Sequence, residues 1–486
     1  MKPSTESERI AILQRVLLVV WGGASLAWLV NDRLVRDGDE EGHVGAAELF
    51  LADLSQGLPF AFLERLWVGQ MGEYPQAFSA LVGTWWWAMG EGLPGRPAVR
   101  AICLVSLLIA ALATARVSTR FVSQEHKQSA SLIALTAVLT LPLANGLTRH
   151  FMPEGLLMAA LATSILAAQR WVERPTFLRA AWLGVAVGVG LMTKQTYALL
   201  AFPPLVFLTL GMLRTHWRSA SVAALIGLCV AGPWWLSSAD AQIAYATASS
   251  AGHGSGGVLD HVLYYPTILA KLGLGPPLFI LSLWGTWRLS RNATPKTRRG
   301  LLMAGIWLVG GLIILTLIPK KYPRLLAPLT PSIGIILAML WTRGRRERRV
   351  VTGGLSLGAA WIVMASLSPV VSLERNAAID PGCPQQWLRA ASSNDLGLGE
   401  VAAALKNKPA GGVSISQDIE IPCEVQTTHD WSQHLGPYLR RSGRDREVQV
   451  SAEPTQRFII RVSSSSGGIP VGGTGRSLDI RDTLEP

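Results

Sequence analysis

Charge is the first thing this chain lacks. Asp, Glu, Lys and Arg make up 16% of its 486 residues, where a soluble protein carries about 25%. Hydrophobic residues make up 49%, and mean hydropathy is +0.32. They come in runs of membrane-spanning length, not at amphipathic spacing. That excludes a soluble enzyme with a single anchor and defines a polytopic α-helical membrane protein. Carboxylates are scarcer than cations, 32 against 44, and the net charge is +12. The cations sit mainly in short loops between apolar runs, which is the positive-inside pattern of topology. A basic stripe with interleaved aromatics is missing outside those regions, so nucleic acid is excluded as a partner. A small-residue cleavage site is also missing after the first apolar run, which ends at Asn31-Asp32-Arg33. That run reads as a retained helix, not a signal peptide. Cysteines number four. Cys103 and Cys229 fall in apolar runs and behave as small hydrophobes. Cys383 and Cys423 stand in a polar tail, where they suggest a disulfide in an oxidising compartment; two unpaired thiols are the alternative.

Window length and flanks predict about eleven spans, at residues 17–30, 99–117, 130–147, 155–168, 180–193, 197–213, 220–236, 274–287, 301–318, 325–341 and 351–371. These define a membrane domain over residues 1–371. Its first long loop, 31–98, is too polar to span and carries Trp85-Trp86-Trp87, read as an interfacial helix. A second long loop covers 237–271. Five arginine-rich loops fall on one side of this arrangement, which the positive-inside rule makes cytoplasmic together with the N-terminus. The tail, 372–486, falls on the opposite side. It reads as a small extracytoplasmic α+β domain with helices at 384–392 and 395–406 and strands at 412–416 and 457–462.

Just after the first span lies Asp37-Gly38-Asp39-Glu40-Glu41-Gly42-His43. A carboxylate cluster is costly beside lipid and invites a functional explanation. Asp37 and Glu40 have the spacing of a capping box. Asp39 and His43 share a helix face. In Arg149-His150-Phe151-Met152-Pro153-Glu154, Pro153 suits the first turn of a helix and Glu154 suits its dipole. Lys194 and the group Lys320, Lys321 and Arg324 could be cations snorkelling at helix ends. They also break the positive-inside trend, and clustered cations on the outer face call for an anionic partner such as a phosphate. A carboxylate that accepts a proton, beside cations that hold a departing phosphate, suits group transfer from a phosphate-linked donor. Asp39 fits the first role, with Glu154 as helper; Lys194, Lys320, Lys321 and Arg324 fit the second.

The order of these elements resembles the GT-C glycosyltransferases that use polyprenyl-phosphate sugars, the group of protein O-mannosyltransferases and lipid A aminoarabinose transferases. Asp39-Glu40-Glu41-Gly42-His43 is similar to their first-loop acidic motif. Tyr74-Pro75-Gln76-Ala77-Phe78 resembles a proline–aromatic segment, and residues 87–100, with Gly90-Glu91 and Arg100, the approach to their second span. Residues 149–154 resemble the second acidic motif. Gly190-Leu191-Met192-Thr193-Lys194 resembles a Gly-Leu-x-Thr-Lys turn, and residues 320–331 the late Arg/Pro-rich motif. The resemblance covers 17 to about 341. It implies Asp39 as general base and Glu154 as the second acidic position. Glu40, His43, Tyr74, Arg149 and His150 join the four cations as the expected substrate-binding set. Where relatives carry Lys-Pro-Pro in the first loop, this chain has Glu73-Tyr74-Pro75-Gln76, so one phosphate-binding lysine is missing.

The implied partners are a polyprenyl-phosphate-linked sugar, a glycan, lipid or protein acceptor, and the bilayer of a bacterial inner membrane. No cofactor is expected. Two carboxylates from different loops could hold Mg²⁺ or Mn²⁺, but the abundance of cations makes a metal less necessary. A non-catalytic transporter or flippase for a lipid-linked glycan is the alternative. Such a protein should carry ionisable residues in mid-span, whereas here the charge sits at span ends.

Overall fold

The computed structural model describes residues 6–31, 38–68, 74–90, 95–147, 151–251, 258–270, 276–291, 293–318 and 322–367, and five strands in the tail. Among them, seven helices are long and apolar enough to cross a membrane. They are Ile10–Val30, Arg100–Ser118, Glu154–Glu173, Thr196–Leu213, Trp217–Ser237, Pro295–Leu317 and Pro323–Trp341. The remaining four expected spans are helical too, but each departs for a local reason. Pro142 forces an extended Leu141 (ψ 126°) and splits the span expected at 130–147 into Lys127–Thr140 and Pro142–Leu147. Phe177–Leu191 and Pro276–Arg291 hold 15 and 16 residues. Arg345–Leu367 opens on a run of arginines.

The chain divides into two units, residues 1–26 with 47–364 and residues 27–46 with 365–486. In the first unit, Pro323–Trp341 is 94% buried, which makes it the centre of the bundle. Trp217–Ser237, 28% buried, leaves most of its surface for lipid. Helix contacts rely on small residues where backbones approach closely. An added Cβ at Gly184 would lie 2.5 Å from the Ala223 carbonyl oxygen, and one at Gly188 2.7 Å from Val230 Cβ. These two glycines seat Phe177–Leu191 against Trp217–Ser237.

The first long loop is mostly helix: Gly38–Ser55, Pro59–Val68 and Ala77–Met89, the last carrying the three tryptophans. Gly57, at φ 67°, turns the chain between the first two. Arg65 Nε and Nη2 then clamp both oxygens of Asp53 at 2.7 and 3.1 Å, a bidentate pair that holds the Arg65 guanidinium above its ordinary pKa. The expected loop over 237–271 is also corrected. It forms two helices, Ala239–Ala251 and Val258–Ile268.

In the second unit, five strands form one mixed sheet: β1 (Val413–Ser416), β2 (Val448–Ser451), β3 (Phe458–Ser463), β4 (Ile469–Val471) and β5 (Arg476–Asp482). The order is β2-β1-β3-β5-β4. β1 runs parallel to β2 and β3, while β5 runs antiparallel to β3 and β4. The two strands expected at 412–416 and 457–462 are β1 and β3; the two expected tail helices lie outside the described residues.

Two outcomes follow from this packing. Gly188→Leu lowers the thermal unfolding temperature of the solubilised protein, since overpacking costs about 1–3 kcal/mol. Gly211→Leu, where an added Cβ meets nothing within 4 Å, leaves that temperature unchanged. At the arginine-rich ends, Arg288 Nη2 donates to Glu347 Oε1 at 2.9 Å and holds this carboxyl below its usual range. A lowered folded pKa means the contact stabilises above the ordinary glutamate pKa and is lost as pH falls through the lowered one. The stability gap between wild type and Glu347→Gln should therefore hold steady above about pH 5 and close on acidification, as read by thermal melts across pH.

Candidate active site

Three segments far apart in sequence meet at one point of the first unit. The first is the start of Glu154–Glu173, where Pro153 (φ −68°) precedes Glu154. A proline there sacrifices no helical hydrogen bond, and the helix dipole favours the carboxylate that follows. The second is the turn between Phe177–Leu191 and Thr196–Leu213, which carries Lys194. Thr193 N–H donates to the Gly190 carbonyl and Tyr197 N–H to the Lys194 carbonyl, both at 3.0 Å. Gly190 has no alternative here, because any Cβ would enter the Tyr197 ring. That ring is fixed in turn by a 2.6 Å hydrogen bond between Tyr197 Oη and Ser164 Oγ. The third segment is the tight 3₁₀ turn Pro323–Leu329, with Arg324 near its start. It is held from behind by Trp307 Nε1, which donates to the Pro328 carbonyl at 3.1 Å.

Where they meet, Lys194 Nζ donates to Glu154 Oε1 at 2.6 Å, and Arg324 Nε lies 3.5 Å from the same oxygen. Glu154 is fully buried, and Lys194 and Arg324 are 7% and 9% exposed. Charges this deep are stable only as partners. The Arg324 guanidinium also stands 4.8 Å over the Tyr322 ring and touches Met152 Sδ through Nη1 at 3.6 Å. Among the described residues, Glu154 Oε2 has no hydrogen-bond partner. The cluster of these three side chains carries one net positive charge.

The first loop reaches this cluster through backbone. Ala77 N–H donates to the Met192 carbonyl at 2.9 Å, so the tryptophan helix begins on the turn that carries Lys194. Tyr74, half-buried, lies just before it, and its carbonyl accepts from Gln76 Nε2 at 2.7 Å. Trp67 Nε1 donates to the Val230 carbonyl at 3.3 Å and Ser237 Oγ to the Trp67 carbonyl at 2.9 Å. Helix Val258–Ile268, with Tyr265 fully buried, packs on the Arg324 turn.

Of the residues singled out in the sequence, Glu154, Lys194 and Arg324 are brought together. Asp39 and Glu40 lie in the first turn of Gly38–Ser55, but Asp37 and the side chains of Asp39 and Glu40 lie outside the described residues. His43 is half-buried in the same helix. Arg149, His150, Lys320, Lys321, Cys383 and Cys423 also lie outside the described residues. Sequence reasoning missed Tyr322 and Met152 as supports of Arg324, although both stand inside motifs it had marked.

Each cluster residue lies at the opposite end of its helix from an arginine-rich loop. Glu154 and Arg170 are about 24 Å apart along one helix, at about 1.5 Å per residue. Lys194 follows a helix whose first turn holds Arg179, and Arg324 precedes one that ends near Arg343. This is a multi-pass helical membrane protein in which the helices Pro59–Val68 and Ala77–Met89 rest on one end of the bundle, the fold of the GT-C glycosyltransferases. Residues 79–236 match the family model described as Dolichyl-phosphate-mannose-protein mannosyltransferase, a stretch that includes Glu154 and Lys194. No curated protein matches by sequence.

Among solved structures, ArnT from Cupriavidus metallidurans bound to undecaprenyl phosphate is similar with a TM-score of 0.61 at 16% identity, over 91% of this chain and 86% of that one. The Archaeoglobus fulgidus oligosaccharyltransferase tethered to an acceptor peptide is similar at 0.52 and 11% identity, over 89% of this chain and 63% of that one. The same archaeal enzyme in complex with Zn and sulfate gives 0.52 and 14% identity, over 89% and 62%. Among the described residues of the present chain, no three His, Cys, Asp or Glu side chains gather. One carboxylate between two cations is not a donor set for a divalent metal.

The cluster predicts a clear double-mutant cycle. Glu154→Gln leaves Lys194 and Arg324 buried without their anion and should cost about 3–5 kcal/mol. Glu154→Gln combined with Lys194→Met removes both charges and should recover part of that loss, read as the shift in thermal unfolding temperature.

Proposed function

We propose that this protein transfers a sugar from a polyprenyl-phosphate-linked donor to an acceptor on the extracytoplasmic face of a bacterial inner membrane. The observation that carries the reading is the buried ratio of two cations to one carboxylate at the end of the bundle away from the arginine-rich loops. Lys194 and Arg324, with Lys320 and Lys321 beside Arg324 in sequence, hold the donor phosphate. Glu154 fixes the two buried cations, and its Oε2 binds the acceptor by accepting from a donor group other than the hydroxyl that reacts.

Asp39 is the general base. It takes the proton of the acceptor hydroxyl as that oxygen forms a bond to the anomeric carbon of the sugar. The bond from that carbon to the phosphate oxygen breaks, and the electron pair leaves with the phosphate. Charge grows on the phosphate as the bond lengthens, so fixed cations bind the transition state more tightly than the ground state. Glu40, His43, Tyr74, Arg149 and His150 contact donor or acceptor in this scheme. The acceptor is a glycan, lipid or protein. A flippase should carry ionisable residues in mid-span, and the charge here sits at span ends, which favours transfer over flipping.

Asp39→Asn should reduce transfer from an undecaprenyl-phosphate sugar by at least about 100-fold, in line with general-base catalysis, while insertion and melting temperature stay as in wild type. Mass spectrometry of the product reads the outcome. Full activity in Asp39→Asn with loss in Glu40→Gln would move the base by one residue, and full activity in both would remove it from this helix.

A further inference from the structure

A second site lies at the arginine-rich end of the same bundle. A cleft of about 510 Å³ opens between the helices Gly95–Ser118, Glu154–Glu173 and Phe177–Leu191. Its walls are mainly apolar, formed by residues such as Ile109, Leu156, Ala160, Leu166 and Val189, with Thr163 among them. From Leu156 to Arg170 it follows one helix for about 21 Å, a long narrow shape and not a compact one. Ile109 and Trp182 on its rim are 44% and 64% exposed, so the cleft is open sideways where lipid would lie.

One end of the cleft is not apolar at all. Arg120, Arg170 and Arg179 line it together. Arg120 pairs with Glu173 at 2.6 Å. Arg179 Nη1 donates to the Arg170 carbonyl at 2.6 Å, closing the last turn of the helix. The exposed Arg170 side chain has no hydrogen-bond or ion-pair partner among the described residues. Three guanidiniums thus face one carboxylate at the mouth of an apolar channel. Snorkelling explains an arginine at a helix end; it does not explain three around one cleft whose length is that of an acyl chain.

We infer that this cleft binds an anionic phospholipid, with its phosphate on Arg120, Arg170 and Arg179 and one acyl chain laid along the Glu154–Glu173 helix toward Leu156. Charge complementarity selects the occupant. A basic pocket between spanning helices on the positive-inside face meets the leaflet that supplies acidic head groups, and planar guanidiniums grip phosphate oxygens in pairs. A polyprenyl donor whose phosphate sits at Lys194 and Arg324 would present no anion at this end. The inference therefore stands apart from the proposed transfer reaction.

The test is native mass spectrometry of the detergent-purified full chain with phosphatidylglycerol and with phosphatidylethanolamine of the same acyl chains. Phosphatidylglycerol should be retained at least about fivefold more tightly. Arg170→Gln should abolish that preference, and Ala186→Phe, which fills the cleft without touching the charge, should abolish retention of the lipid itself. Equal retention of the two lipids by wild type would overturn the inference, as would unchanged phosphatidylglycerol binding in both variants. Displacement of the lipid by undecaprenyl phosphate with equal strength in wild type and Arg170→Gln would assign the cleft to the donor's tail instead.

Discussion

The structure depends on a carboxylate that is buried at the end of one helix and cannot stand alone. Glu154 is enclosed completely, and a lone ion so placed would carry a desolvation penalty of several kcal/mol. Two cations answer it, one from an interhelical turn and one from a 3₁₀ turn more than a hundred residues later. Their approach fixes how the start of one span, the turn between two others and the entry to the central helix sit against each other. Gly190, Tyr197, Ser164 and Trp307 are all explained by that demand, since each holds one of the three contributing segments in place.

The same constraint gives the bundle a polarity. One end collects buried, mutually paired charge. The other end collects arginines in short connections, with Arg288 and Arg343 laced to Glu347 and to backbone. The spanning segments between them are nearly free of charge. Small residues such as Gly184 and Gly188 do the packing that water would drive in a soluble protein. On the two proposals made above, a bundle built this way offers an anionic substrate a cationic socket at one end and an anionic lipid a cationic rim at the other.

Much of this was legible in the sequence, for reasons that differ by element. Spans announce themselves by length and hydropathy, so the membrane class and most helix positions were open to inspection. Lys194 and Arg324 stood out because they violate the charge asymmetry that the other basic residues obey. Glu154 was ambiguous, since a proline–glutamate start serves any helix; only its two partners distinguish it. Tyr322 and Met152 were hidden because a ring or a thioether under a guanidinium leaves no periodic trace. The break at Pro142 was hidden too, because a hydropathy window runs straight across it, whereas the 180–193 span already reads as short and glycine-rich. The helices within 237–251 and 258–268 were read as loop on composition, although the tertiary contact of Tyr265 with the Arg324 turn favours order there.

The central claim is that the cations paired with Glu154 form a phosphate socket and are not merely a structural lock. Binding of undecaprenyl phosphate to Glu154→Gln/Lys194→Met separates the two, since that variant keeps the pocket's volume while losing one cation and its anion. The socket account predicts a variant that still folds, with a melting temperature between those of Glu154→Gln and wild type, together with at least a tenfold loss of affinity, or about 1.4 kcal/mol. Wild-type affinity in that folded variant would contradict it.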